Sequence, residues 1–404
     1  MGALTADISE LAGPPPLPSL AGFGLKNPSD VQNISQDLSD SKGAQDLRRP
    51  VLLGEELYES VVSLDDANCT GTIVDIEGYN VAGEGTLIVT AAHCIEDSDP
   101  NDIKIAGSYL DNNGQRQQFN LQSSEVWVHP FHGDFNRHSD PGTVDSRADI
   151  AFIYSKDAAP AAVLKAEFVP YDLDRLVHDA QQEATPNDAE SGNPNVTTAG
   201  FSGDKIGLHT HENAKIIGVE SSQVLVTEAD VAQGASGGPN YPVGEDGTPI
   251  SLNEDGQPRV ATVNSAVDTA TADNPNPEWA YSTALKEEFL TTVPFLEAET
   301  PVEPMQGTIT PAAGANIRYG PGLDFAKLSR DPDGVPSAQS VGSQVSIHDT
   351  RENHLGEEWS LVTGENGRTG YINSGLIQQA PAVDASTSAA LPKATVSDGV
   401  APAL

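Results

Sequence analysis

Three short segments carry side chains able to do proton-transfer and nucleophilic chemistry together. Thr90-Ala91-Ala92-His93-Cys94 directly follows an apolar run, Asp149-Ile150-Ala151-Phe152 opens another, and Gly234-Ala235-Ser236-Gly237-Gly238-Pro239 is a glycine-rich turn. A serine hydroxyl is a poor nucleophile at neutral pH. A neutral imidazole such as His93 can take its proton during attack and later deliver it to a leaving amine. A carboxylate such as Asp149 would hold that ring in the right tautomer and stabilise the imidazolium. The glycines around Ser236 permit torsions that turn the amides of Gly234 and Ser236 toward one point, where an oxyanion would form. Singly, these are an ordinary turn, a packed histidine and a strand start. Their order, separations of 56 and 87 residues, and common strand-rich setting favour a joint role.

Such a constellation needs a frame. From residue 51 to 297, short β-branched runs recur between Gly, Pro, Asn and Asp turns: Ser60–Leu64, Thr86–Thr90, Ile150–Tyr154, Lys215–Val219 and Arg259–Val263. This pattern predicts an all-β barrel or sandwich. Ala284–Leu290 reads as a short closing helix, and residues 298–306, with Thr300-Pro301-Val302-Glu303-Pro304, as a stiff linker. A smaller strand-rich unit spans 307–379. Residues 1–50 read as an extended, disordered leader with a polyproline run at Pro14–Pro18, and 380–404 as a disordered tail. Arg48-Arg49 is a basic point suited to proteolytic trimming, and Pro50 leaves the bond after Arg48 as the expected cut.

Composition narrows the function. A formal net charge of −38 argues against nucleic-acid binding, which needs clustered Lys and Arg. The acidity fits solubility in salty surroundings or attraction to basic substrates. No apolar run approaches the roughly 20 residues of a membrane span. The first residues lack the basic and apolar regions of a secretory signal. His209 and His211 alternate as strand neighbours, and a surface role is expected over metal binding because no third ligand is near. Asp97-Ser98-Asp99 and Asp111-Asn112-Asn113-Gly114 lack helix–loop–helix calcium spacing, so neither a metal nor another cofactor is expected.

In their order of His, Asp, Ser, the three segments resemble the signatures of trypsin/chymotrypsin-type serine peptidases across residues 51–297. The resemblance implies a chymotrypsin-like double six-stranded β-barrel and an endopeptidase acting on proteins or peptides. His93, Asp149 and Ser236 would be its triad, and Gly234 and Ser236 its oxyanion hole. It also implies a Cys69–Cys94 disulfide, the alternative being two buried free thiols. Ala235 stands where trypsin-type zymogens carry an aspartate that receives the new N-terminus, so that activation bridge is not expected. Gly200-Phe201-Ser202-Gly203-Asp204-Lys205 resembles a stretch of bacterial glutamyl endopeptidases. Asp230, six residues before Ser236, occupies the place of the specificity-pocket base, which implies a Lys/Arg preference or else a structural role. Val263-Asn264-Ser265-Ala266 lacks the histidine of glutamyl-type enzymes.

Farther on, Asn316-Ile317-Arg318-Tyr319-Gly320-Pro321-Gly322, Glu358-Trp359-Ser360-Leu361-Val362 and Gly367-Arg368-Thr369-Gly370-Tyr371-Ile372 resemble bacterial SH3-like domains. That resemblance implies a small β-barrel that binds cell-wall peptides or a protein ligand, with Tyr319, Trp359 and Tyr371 the aromatics of interest. Trp359 is expected in the core. Rival readings are a catalytically inactive homologue used as a binding protein, and an SH3-like unit that regulates the peptidase. A disulfide together with such a module implies an extracellular or periplasmic protein.

Overall fold

The computed structural model describes residues 47–379 except 53–54, 65–67, 82, 97, 112, 134–145, 171–194, 221–223, 244–256, 268–279, 299–304, 324–326, 329–337 and 354. The expected tail at 380–404 and the leader before residue 47 lie outside the described residues. The chain is all-β and divides into two compact units, Met1–Val302 and Glu303–Leu404. In the larger unit the first strands are β1 (Arg49–Pro50), β2 (Val61–Leu64), β3 (Cys69–Asp75), β4 (Tyr79–Val81) and β5 (Thr86–Thr90). They are followed by β6 (Lys104–Leu110), β7 (Arg116–Gln122), β8 (Glu125–Val128), β9 (Ala151–Ser155) and β10 (Ala166–Phe168). The second half supplies β11 (Asn195–Gly200), β12 (His209–Glu220), β13 (Val224–Thr227), β14 (Pro239–Val243), β15 (Arg259–Val260), β16 (Thr262–Val267), β17 (Ala280–Thr283) and β18 (Leu296–Ala298).

Two sheets result. The first runs β7-β6-β2-β3-β5-β9-β8, with β10 joined in parallel to β3 and β15, and forms an open half-barrel. Strand β5 is buried along its whole length because it lies between β3 and β9, which suits its unbroken apolar run. Strand β7 alternates between exposed and more buried positions, as a strand with one wet face must. In the second sheet β12-β11-β14-β16-β17-β13 closes through a β12–β13 pairing into a six-stranded barrel. Val62, Ile73, Ile88, Ile105 and Ile153 fill the half-barrel, and the smaller Val196, Ala214, Leu225, Ala235 and Ala280 fill the closed one.

Several expectations shift for physical reasons. The run Lys215–Val219 is the end of the longer β12, whose polar start pairs with β11 and β1 and so shows no apolar signal. The run Arg259–Val263 breaks at Ala261 because β15 pairs with β10 of the half-barrel and β16 with β14 of the closed one. The closing helix is a 3-10 turn, Glu287–Thr292, that buries Phe289 and Leu290. The leader reading also needs correction at its end. Arg49–Pro50 pairs with β12, and the Arg48 side chain is only 8% exposed, so the bond after Arg48 is not presented for trimming in the fold.

The smaller unit is a five-stranded antiparallel sheet in the order β22-β21-β20-β19-β23. Its strands are β19 (Met305–Ile309), β20 (Gln344–Glu352), β21 (Glu358–Gly364), β22 (Thr369–Asn373) and β23 (Ile377–Gln379). Trp359 lies in its core as expected. Tyr371 is buried as well and Tyr319 half-buried, so of the three aromatics only Tyr319 keeps surface for a ligand.

Candidate active site

His93 lies in a single 3-10 turn, Ala92–Cys94, that caps β5, and Asp149 stands two residues ahead of β9, the strand paired with β5. Strand pairing therefore delivers both groups to one end of the half-barrel. The Asp149 carboxylate is fully buried, and a buried carboxylate requires donors. Oδ1 accepts from the His93 backbone amide at 2.8 Å, and Oδ2 faces His93 Nδ1 at 2.7 Å. Because a carboxylate can only accept, the ring proton sits on Nδ1 and leaves Nε2 as the basic nitrogen. Burial alone would lower the pKa of the His93 ring, but the hydrogen bond and charge of Asp149, helped by Glu96, outweigh it. The net shift is upward from the usual histidine value.

One further group holds this carboxylate and a second stands near it, and the sequence pattern did not single out either. Ser265 Oγ on β16 donates to Asp149 Oδ2 at 2.6 Å, and a second serine, Ser146, stands 2.9 Å from the Ser265 hydroxyl. His132 Nδ1 lies 3.7 Å from Oδ1, with its Nε2 on Glu96 at 2.9 Å. The one available signal was the presence of small polar residues in strands that are otherwise buried and apolar.

Ser236 sits in the turn between Asp230 and β14. Gly237 has φ +81°, and a Cβ there would stand 2.1 Å from both Thr70 O and Thr90 Oγ1. Gly234 has φ +95°, with Phe201 O filling its Cβ position at 2.5 Å. Both positions demand glycine. The turn is fixed by Thr70 of β3: its amide donates to Ser236 O at 2.8 Å, and its hydroxyl donates to Gly234 O at 2.7 Å. The amides of Ala235, Gly237 and Gly238 are all hydrogen-bonded within the protein. Among the described residues, those of Gly234 and Ser236 have no partner. Two donors, the serine's own amide and that of Gly234 two residues before it, are thus left for something else.

Cys69 and Cys94 form the disulfide, which rules out free thiols. Cys94 Sγ lies 3.8 Å from His93 Nε2 and 3.8 Å from Ser236 O, so the basic face of the ring and the serine turn meet the same sulfur. Cys69, His93 and Cys94 bring potential metal-binding atoms within 4.8 Å of one another. Both sulfurs are spent in the disulfide, so the cluster offers one useful ligand.

Asp230 is placed differently from a pocket base. Its Oδ2 accepts from the Leu47 amide at 3.2 Å and lies 3.8 Å from Arg48 Nε, so the carboxylate is turned onto the chain's own N-terminal segment. His211 is buried, and its Nδ1 accepts from the Asp230 amide at 2.7 Å, in place of the expected surface role. In the acidic turn at Asp111, the carboxylate accepts from the amides of Asn113 and Gln115, both at 2.9 Å, which accounts for it as a turn cap. Asp97 and Asn112 lie outside the described residues. No helix among the described residues is long and apolar enough to cross a membrane. Neither a scan against protein-family models nor a comparison with curated proteins matches this chain.

Proposed function

We propose that residues 51–297 are a chymotrypsin-like serine endopeptidase with His93, Asp149 and Ser236 as its triad. One observation carries this reading. A buried carboxylate fixes His93 with Nε2 as base, next to a serine turn in which the amides of Gly234 and of Ser236 itself have no partner among the described residues. A closed barrel beside a half-barrel also supports the double-barrel fold.

In the proposed reaction, Ser236 Oγ attacks the substrate carbonyl as its proton passes to His93 Nε2. The carbonyl oxygen becomes an oxyanion and takes hydrogen bonds from the Gly234 and Ser236 amides. Those donors are already oriented by Thr70 and the glycine torsions, so no reorganisation is needed at that moment. Asp149 stabilises the imidazolium without taking its proton. Collapse of the intermediate breaks the C–N bond, and Nε2 delivers the proton to the leaving amine. Water then repeats the sequence on the acyl-enzyme. A Lys/Arg preference is not part of this reading, since the contacts of Asp230 with Leu47 and Arg48 favour a structural role.

The smaller unit, at residues 307–379, is read as an SH3-like module that brings the enzyme to cell-wall peptides or a protein ligand. Its antiparallel sheet around buried Trp359 supports that assignment. The disulfide supports an extracellular or periplasmic setting. The test is labelling by a fluorophosphonate probe. Wild-type protein should be labelled at Ser236 and Ser236→Ala should not. Absence of labelling in folded wild-type protein would favour an inactive binding homologue instead.

A further inference from the structure

Arg48 lies in the segment expected to be discarded, yet it is among the most enclosed cations of the chain. Its guanidinium grips Asp204 with two parallel hydrogen bonds, Nη1 to Oδ1 at 2.9 Å and Nη2 to Oδ2 at 2.5 Å. Its Nε lies 3.8 Å from Asp230 Oδ2. Exposure of the three side chains is 8%, 2% and 11%. Burying a carboxylate such as Asp204 is costly without a partner of this kind.

The two acids belong to the two loops that shape the serine turn. Asp204 lies between β11 and β12, one residue after Gly203, whose amide donates to Gln233 O at 2.6 Å. Asp230 precedes the same turn by four residues at Gly234. Gly234 itself is packed on Phe201 O and Gly203 N of the first loop. One guanidinium therefore ties together the loops whose mutual position sets the direction of the Gly234 amide.

The segment that delivers Arg48 is itself anchored. Arg49 and Pro50 pair with Thr210 and His209 of β12, and Val51 N donates to Leu208 O at 3.0 Å. Arg49 adds ion pairs to Glu55 and Glu212. Strands β12, β11 and β14 separate this segment from β16, the strand that carries Ser265 beside the triad. The segment therefore pairs with β12 and is not laid out as a substrate along β16.

We propose that Arg48, in the uncut N-terminal segment, is a positioning residue for the oxyanion-binding turn. The chain needs this side chain for activity and is not activated by its removal. The proposal rests on the serine-peptidase reading. It assigns to an internal arginine the cross-link that Ala235, which has no carboxylate, cannot make next to the serine.

The experiment measures fluorophosphonate inactivation of the full chain, with kinact and KI resolved separately. Wild type is compared with Arg48→Lys and with Arg48→Met/Asp204→Asn, a pair that leaves no unpartnered carboxylate at position 204. The double variant should lose about 100–1000-fold in kinact, the scale of losing one oxyanion donor, with KI unchanged. Arg48→Lys, which keeps the charge without the fork, should recover part of that loss. Intact mass of the labelled wild-type chain should show residue 48 still present. A folded double variant with wild-type kinact, or labelled chains that all begin after Arg48, would overturn the proposal. If the double variant does not fold, the mass measurement decides. Absence of labelling in wild type removes the peptidase reading first, and this proposal with it.

Discussion

Asp149→Asn tests the site at its most constrained point. The substitution keeps size and shape but replaces one accepting oxygen with an NH2 group, and both oxygens are in use. Oδ2 faces His93 Nδ1 at 2.7 Å and Ser265 Oγ at 2.6 Å, while Oδ1 accepts from the His93 amide at 2.8 Å. An NH2 at the Oδ2 position is tolerated only if Nδ1 becomes an acceptor, which moves the ring proton to Nε2 and removes the base. An NH2 at the Oδ1 position sets two donors against each other in a fully buried place. Either way the imidazolium loses its counter-charge. The expected loss in kcat is about 10⁴-fold, equivalent to about 5 kcal/mol of transition-state stabilisation. The pH profile should shift as well. In the native site Asp149 raises the His93 pKa against the lowering effect of burial, so the ascending limb of kcat/KM lies above about 6.5. With the carboxylate gone, only burial and the weaker Glu96 charge remain, and the limb should move down. Peptide hydrolysis and fluorophosphonate inactivation across about pH 5 to 9 measure both effects, with circular dichroism to establish folding. A folded Asp149→Asn protein that loses less than about tenfold, or whose limb does not move, would refute the reasoning.

Other sites give independent outcomes. Gly237→Ala places a Cβ at φ +81° within 2.1 Å of Thr70 O and Thr90 Oγ1. It should lower the urea midpoint by the equivalent of more than about 1 kcal/mol and impair labelling of Ser236. Cys69→Ala/Cys94→Ala opens a cross-link between residues 25 apart and should cost about 3 kcal/mol, read from denaturant unfolding of the oxidised and mutant chains. His129 is enclosed by Trp127, Phe131 and Phe289, and burial first, then the charges of His132 and Lys286, push its pKa down to about 3. The folded ring therefore stays neutral while the unfolded chain takes up a proton near pH 6.5. Stability should fall as pH drops from about 6.5 toward 3, by up to about 1.4 kcal/mol per unit from this residue, and His129→Phe should flatten that dependence.

The positions of His93, Asp149 and Ser236 were legible because each needs a local sequence context. A histidine that caps a strand and a serine between glycines are written into neighbouring residues. The groups that hold them were not legible. Thr70 lies in β3 among β-branched residues and reads as strand filler, yet it fixes the serine turn from 164 residues away. Ser265 likewise stands in a strand of buried small residues. Arg48 and Asp204 are 156 residues apart, and nothing in local composition says that they meet. Asp230 shows a different limit: counting residues from Ser236 locates a carboxylate along the chain but not the side it faces. Strand patterns alone foretold only β-structure, because closure depends on the β12–β13 pairing and not on any strand's own pattern; the resemblance implied two six-stranded barrels, of which one is closed and the other an open half-barrel.

The approach of the His93–Asp149 pair to the Ser236 turn has a specific physical origin in this chain. His93 and Asp149 stand at the end of the half-barrel, whereas Ser236 and its two amides belong to the turn leading into β14 of the closed barrel. Links across the junction tie the two together. One such link starts at Cys94, next to His93, crosses the disulfide to Cys69 and continues to Thr70. Thr70 uses its amide on Ser236 O, its hydroxyl on Gly234 O and the Phe201 amide, and its carbonyl on Thr90 Oγ1. Every polar group of that threonine is thus spent at the junction. A second link, Ser265 to Asp149, runs in the opposite direction, from closed barrel to half-barrel. Further links cross the same junction, Ser60 to the Tyr241 hydroxyl and Thr283 to the Ser146 carbonyl, so that it is restrained at several points. The His93–Asp149 pair and the Ser236 turn are thereby tied to one another across two sheets.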